Sequence, residues 1–120
     1  SGLIRACINI NNPDLDIEWA DITQVPLFNE DLEANTPEVV LNIKERVRKA
    51  DGVLWAVPEN NENVSAPLKN IYDWLSRGDT PMKQKPCAMV SSAGMTGGQM
   101  AQKSFRQTVS YCKVKMKETP

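Results

Sequence analysis

Two stretches hold residue types that could meet a ligand. Pro58, Glu59, Asn60 and Asn61 open a polar run that continues through Val64, directly after the apolar run Val53 to Val57. Ser91, Ser92, Ala93, Gly94, Met95, Thr96, Gly97 and Gly98 form the second, directly after Pro86 to Val90. Small residues let a ligand approach backbone amides closely. On residue type alone, Pro58 to Asn61 reads first as a plain polar connection between strand and helix.

Neither stretch offers an activated nucleophile. The chain has no histidine, which excludes Ser-His and Cys-His pairs and histidine-ligated metal within it. Cys7, Cys87 and Cys112 are odd in number, far apart and without a C-x-x-C pair. That pattern suits neither a zinc site nor a disulfide framework and points to a reducing compartment. Cys87 lies in an apolar run and reads as a small core hydrophobe.

The net charge of -1, with 24% charged residues, leaves no cationic excess for nucleic acid or anionic lipid. No apolar run approaches the roughly 20 residues of a membrane span, and S-G-L-I-R has no secretory pattern. The expectation is a soluble cytoplasmic protein without a nucleic-acid partner or membrane span. At 120 residues it is one domain at most, able to bury about two-thirds of its unfolded surface.

The elements that must position the two stretches follow from periodicity. Leu3, Ile4, Cys7 and Ile8 are spaced for one face of a helix. Asn11 to Asp14 is a turn cluster, and Leu15 to Ile22, with Trp19 at its centre, reads as a short half-buried strand. Gln24 to Asn35 reads as a long loop in which Pro26, Leu27 and Phe28 pack onto the sheet. Thr36-Pro37 is an N-cap and N1 pair for a helix with an apolar stripe through Val39 or Val40, Ile43, Val47 and Ala50. Its charged residues Lys44 to Lys49 read as a solvated face.

Gly52 ends that helix, and Val53 to Val57 is apolar enough for a parallel strand covered on both faces. Ser65 stands at an N-cap with Pro67 in the first turn, and Leu68, Ile71, Tyr72 and Leu75 recur at helical spacing. Pro86 to Val90 is a second buried strand. Ala101, Phe105, Thr108, Val109 and Cys112 mark one face of a further helix, and Val114 to Met116 opens another strand. This alternation predicts a parallel sheet with right-handed crossovers. The loops Pro58 to Val64 and Ser91 to Gly98 then emerge at one sheet edge, where open α/β sheets bind ligands.

The motifs V-P-E-N-N (Val57 to Asn61), S-A-P-L-K-N-I-Y-D-W-L-S-R (Ser65 to Arg77) and S-S-A-G-M-T-G-G (Ser91 to Gly98) together resemble the NAD(P)H-dependent FMN reductase family. It includes quinone reductases, azoreductases and chromate reductases. Supporting similarity runs through G-L-I-R-A (Gly2 to Ala6), P-L-F-N-E-D-L-E (Pro26 to Glu33) and A-D-G-V-L (Ala50 to Leu54), with plant and bacterial quinone reductases nearest.

The resemblance implies a three-layer α/β fold, a flavodoxin-like parallel sheet in the order 2-1-3-4-5. Residues 1–120 would be a single incomplete domain, with the first strand, its phosphate-binding loop and the closing helix outside the chain. It also implies FMN as cofactor, NAD(P)H as co-substrate and a quinone-class acceptor. Pro58, Glu59, Asn60 and Asn61 would lie along the flavin ring, and Ser91, Ser92, Ala93, Gly94, Thr96, Gly97 and Gly98 would line the rest of its pocket.

The family's tyrosine is replaced by Asn60, and its apolar or aromatic position by Glu62, whose carboxylate would disfavour an anionic reduced flavin if it faced the ring. Lys69 is either a nicotinamide-phosphate contact or a solvated helix lysine; Asp73 and Trp74 read as core or interface. Relatives pair as dimers or tetramers, which implies a homodimer, a homotetramer or membership of a larger complex. An organellar location stays open. The competing reading is a flavodoxin-like domain that has lost its flavin and serves as a structural subunit of a larger assembly.

Overall fold

The computed structural model describes residues 2–10 and 12–117. Ser1, Asn11 and the last three residues, Glu118 to Pro120, lie outside the described residues, and with them the first position of the expected turn cluster.

The sheet is built from β1 (Val53–Ala56), β4 (Pro86–Val90) and β5 (Lys115–Met116), all parallel, in the order β1-β4-β5. This succession corresponds to the 3-4-5 part of the expected order. Val53 stands opposite Cys87, Ala56 opposite Val90, and Cys87 opposite Met116. The Val57 and Lys117 amides extend the ladders by donating to Val90 O and Cys87 O, each at 2.8 Å.

Between β1 and β4 lies α3 (Ala66–Leu75), and between β4 and β5 lies α4 (Gln99–Val109). Leu68, Ile71, Tyr72 and Leu75 are buried as their spacing predicts, together with Trp74. Ser65 is the N-cap, although its side chain makes no capping bond. On α4 the buried residues are Ala101, Phe105 and Val109, and Cys112 follows them on the short 3-10 turn Ser110–Cys112.

Helix α2 (Glu38–Lys49) buries Val40 and Ile43. Its N-cap is Pro37, one residue later than predicted, while the Thr36 hydroxyl donates to Glu33 O. Glu38 in its first turn and Arg46, Arg48 and Lys49 in its last complement the helix dipole. Lys85 Nζ donates to Ala50 O at 2.8 Å and so satisfies a carbonyl just past the helix end. Helix α1 (Gly2–Ile8) buries Cys7.

Three aromatic rings knit the strands to the helices. Trp55 on β1 meets Phe105 of α4 edge to face at 5.2 Å and Tyr72 of α3 at 6.3 Å, and Tyr72 and Phe105 meet at 5.9 Å. Such pairs contribute about 0.5–1.5 kcal/mol beyond their buried area. The Tyr72 hydroxyl donates to Val109 O. Cys87 is buried as read, and desolvation pushes its thiol pKa up.

Three expectations are corrected. Residues 15–22 form no strand: a strand needs a neighbour to bond, and none of the described residues pairs with this stretch. Arg46 instead reaches it, donating to Trp19 O at 2.6 Å. The Gln24 to Asn35 loop contains a 3-10 turn at Glu30–Asn35, capped by the Asn29 side chain. Its Pro26 to Phe28 segment docks on α3, not on the sheet. Trp74 Nε1 and Asn70 Nδ2 both donate to Pro26 O at 2.9 Å, and the Phe28 amide donates to Asn70 Oδ1. Phe28 and Trp74 meet edge to face at 5.0 Å, and Leu27 stays 81% exposed. β1 is also less enclosed than predicted, since Trp55 is buried while its neighbour Leu54 is 40% exposed.

Candidate functional site

Because β1 and β4 are parallel neighbours, the chain leaves both at the same edge, from Val57 and Val90 respectively. The first exit is a small hairpin, not an irregular loop. β2 (Glu59–Asn60) pairs antiparallel with β3 (Asn63–Val64), Glu59 opposite Val64 and Asn60 opposite Asn63. Asn61 and Glu62 at its tip have φ of 51° and 59°, the double left-handed backbone of a type I′ turn.

Asparagine tolerates that backbone; glutamate gains nothing there, since a left-handed L residue costs about 1–2 kcal/mol. Glu62→Gly should therefore raise stability by about 0.5–1 kcal/mol once glycine's added chain entropy is subtracted. The urea midpoint measures this gain, and an unchanged or lower midpoint would refute it.

The hairpin is fastened to α4 from its root and its tip. Glu59 accepts from the Thr96 hydroxyl on one carboxylate oxygen and from the Ala101 amide, 3.1 Å away, on the other. At the tip, Asn63 Oδ1 accepts from the Ser104 hydroxyl. The Thr96 hydrogen bond, then the Ala101 amide, hold the Glu59 carboxyl below its ordinary 4.5, against a smaller opposing effect of desolvation. A depressed carboxyl pKa contributes stability above the unfolded value, lost as the pH falls through the folded one.

The second exit, Ser91 to Gly98, is folded back on itself. Ser91 Oγ donates to Gly97 O and accepts from Gln102 Nε2, both at 2.7 Å. The Gly98 amide donates to Thr96 Oγ1 at 3.3 Å. Gly97 and Gly98 have φ of 62° and 84°, and a Cβ on Gly98 would stand 2.5 Å from Ser91 Cβ. Glycine at 98 is thus required twice, by its backbone and by its neighbour.

Every residue singled out in the two stretches lies at this edge. Pro58, Asn60, Asn61, Ser92, Gly94, Thr96 and Gly97 are exposed, Glu59, Ser91 and Ala93 half-buried, and Gly98 buried. Residue type did not reveal Gln102 or Ser104 as the side chains that tie the stretches down. Helical side chains tilt toward the N-terminus, so Gln102, one turn past Gly98, was placed to reach back over the loop. Lys69 pairs with Asp73 one helical turn on, at 2.6 Å, as a solvated helix lysine does. Among the described residues no cluster of potential metal ligands occurs, and no helix is long and apolar enough to cross a membrane.

The sequence pattern of the family described as NADPH-dependent FMN reductase matches residues 3–119. The chain belongs to this family.

Relatives are similar over most of the chain. An NADPH:quinone oxidoreductase of Arabidopsis thaliana is 44% identical over 112 residues, covering 89% of this chain and 57% of that protein. An NAD(P)H-dependent FMN reductase of Pseudomonas aeruginosa is 39% identical over 117 residues, covering 95% and 63%. The solved structure of a flavoenzyme NAD(P)H:(acceptor) oxidoreductase from Paracoccus denitrificans superposes with a TM-score of 0.91 at 29% identity, covering 98% of this chain and 66% of that one. The α/β, flavodoxin-like fold class therefore holds. The chain spans about three-fifths of the length of these two curated relatives.

The second stretch leaves backbone open to a flat group. The amides of Ser92 to Gly97 make no hydrogen bond to the described residues. Nothing lies within 4 Å of a Cβ placed on Gly94 or Gly97, so a planar group can approach this backbone. Neither stretch carries a lysine or arginine, and Glu59 already occupies the Ala101 amide. The residues present therefore suit a flat ring such as that of FMN and lack the cationic groups that would suit its phosphate.

Proposed function

We propose that the protein is an NAD(P)H-dependent, FMN-containing oxidoreductase that passes two electrons from a nicotinamide to a quinone or similar acceptor. The observation that carries this reading is the side-by-side exit of the hairpin and the glycine loop, with free amides and open glycines along the loop. The names of the Arabidopsis and Pseudomonas relatives support both the cofactor and the acceptor class.

The chain's part is positional. Pro58, Glu59, Asn60 and Asn61 would bound one side of the ring, and Ser91, Ser92, Ala93, Gly94, Thr96, Gly97 and Gly98 the other, through amides held in place by the bonds described above. Bound there, FMN would accept a hydride equivalent from NAD(P)H and deliver electrons to the acceptor, so a chain without histidine is adequate. Glu62 is exposed at the hairpin tip, where solvent screens its charge from a bound ring. We place the protein in a reducing compartment, the cytoplasm or an organelle, as a homodimer or homotetramer, with buried free thiols at Cys7, Cys87 and Cys112 in support of the compartment.

The full-length protein should purify yellow, or take up added FMN. Anaerobic NAD(P)H should bleach the flavin spectrum, and a quinone should restore it. A colourless protein that binds no added FMN would leave the flavin-free structural subunit as the reading to pursue.

A further inference from the structure

We infer that the Glu59 carboxylate is the positioning residue that sets the two halves of the site in register, acting as a brace between the hairpin and the glycine loop. The inference rests on the flavin reading above for its binding readout only.

Three observations carry it. First, the carboxylate is bidentate across separate elements: its own strand is β2, one oxygen takes the Thr96 hydroxyl from the glycine loop, and the other takes the Ala101 amide from the first turn of α4. Second, Thr96 passes the connection inward, because its Oγ1 also accepts from the Gly98 amide, so a chain of hydrogen bonds runs from β2 to the residue packed against Ser91. Third, the N-cap of α4 is Gly98, which has no side chain to satisfy the first-turn amides. A carboxylate from the neighbouring hairpin fills that role, in the position where helix dipoles favour negative charge.

Other ties do not replace it. The Ser104 to Asn63 bond joins the hairpin tip to the body of α4 and bypasses the glycine loop. The Gln102 to Ser91 to Gly97 bonds close the loop on itself and bypass the hairpin. Of the side-chain hydrogen bonds described, only those of Glu59 connect both the hairpin and the loop to one group.

The brace predicts a coupled loss. In the full-length protein, Glu59→Gln keeps the shape but removes the charge and one acceptor, and Thr96→Val removes the loop's donor. Each should weaken FMN binding about tenfold, the worth of a charge-assisted hydrogen bond, and the double variant should be no weaker than Glu59→Gln alone. In flavin-free protein, both variants should speed hydrogen exchange of the Gly98 and Ala101 amides, the two that the brace holds, while amides of α3 around Trp74 keep their protection.

Binding within about twofold of wild type in both single variants, or strictly additive losses, overturns the brace. Uniform loss of protection, α3 included, also overturns it by showing a general stabilising contact. If Glu59→Gln fails to fold, Thr96→Val at an exposed position decides the matter by the same two readouts. Should the wild type bind no FMN, the flavin reading falls, and the exchange pattern alone confirms or refutes the brace.

Discussion

Trp74→Ala is expected to lower stability by about 3–5 kcal/mol, the range for removing a fully buried aromatic, and to release the segment from Gln24 to Asn35. Trp74 is 1% exposed, packs edge to face on Phe28 and donates to Pro26 O. No long regular element holds that segment, so it depends on what it touches. Its other ties are individually modest: the two Asn70 hydrogen bonds, to Pro26 O and from the Phe28 amide, contribute about 0.5–1.5 kcal/mol each, and Arg77, 3.3 Å from Glu30 and 5.0 Å from the Phe28 ring centre, about 0–1 kcal/mol per contact.

Trp74→Phe separates the two roles. It keeps a six-membered ring but loses the pyrrole part of the indole with its N–H, and Asn70 still satisfies Pro26 O, so its cost should fall to about 1–3 kcal/mol. Urea unfolding gives the energies, and limited proteolysis reports cleavage between Gln24 and Asn35. Equal costs for the two variants would contradict the packing account, and an uncleaved segment in Trp74→Ala would show that other contacts hold it.

Gly98→Ala should cost about 2–4 kcal/mol, combining a left-handed alanine with an overpacked contact, and should displace the glycine loop. The contact is specific to one partner. In a Ser91→Gly background nothing stands nearer to the new Cβ than the Cα of residue 91, 3.7 Å away and in ordinary contact, so the same substitution should then cost only about 1–2 kcal/mol. Ser91→Gly carries its own penalty through the lost bonds to Gly97 and Gln102, which is why the comparison is made as a cycle. Identical costs of Gly98→Ala in the two backgrounds would show that the backbone conformation alone sets the requirement.

Most of the framework was legible because its signals are local. Leu68, Ile71, Tyr72 and Leu75 mark a helix face whatever surrounds them, and Val53 to Val57 and Pro86 to Val90 are apolar enough to announce buried strands. The failures involve partners that periodicity does not name. Leu15 to Ile22 has a plausible strand composition but no described neighbour to bond. Pro26 to Phe28 looked apolar enough to lie on the sheet, yet two polar side chains of α3 decide where it docks. The hairpin at Glu59 to Val64 was hidden because its strands are two residues each and its turn, Asn61-Glu62, lacks the glycine that usually marks such a reversal. At the site itself, residue types and location were readable and the connections were not: Glu59 meets Thr96 and Ala101 from 37 and 42 positions away.

Asn70 and Trp74 stand one helical turn apart and aim at a single carbonyl oxygen, that of Pro26. Two donors fixed to a rigid rod confine the oxygen they share to a narrow arc beside it, and the distance between them is set by the helix, not by the loop. The pair therefore works as a ruler. In any chain of this fold that keeps an asparagine and a tryptophan at that interval, the oxygen they bracket locates the loop, however many residues have been inserted or lost on the way to it.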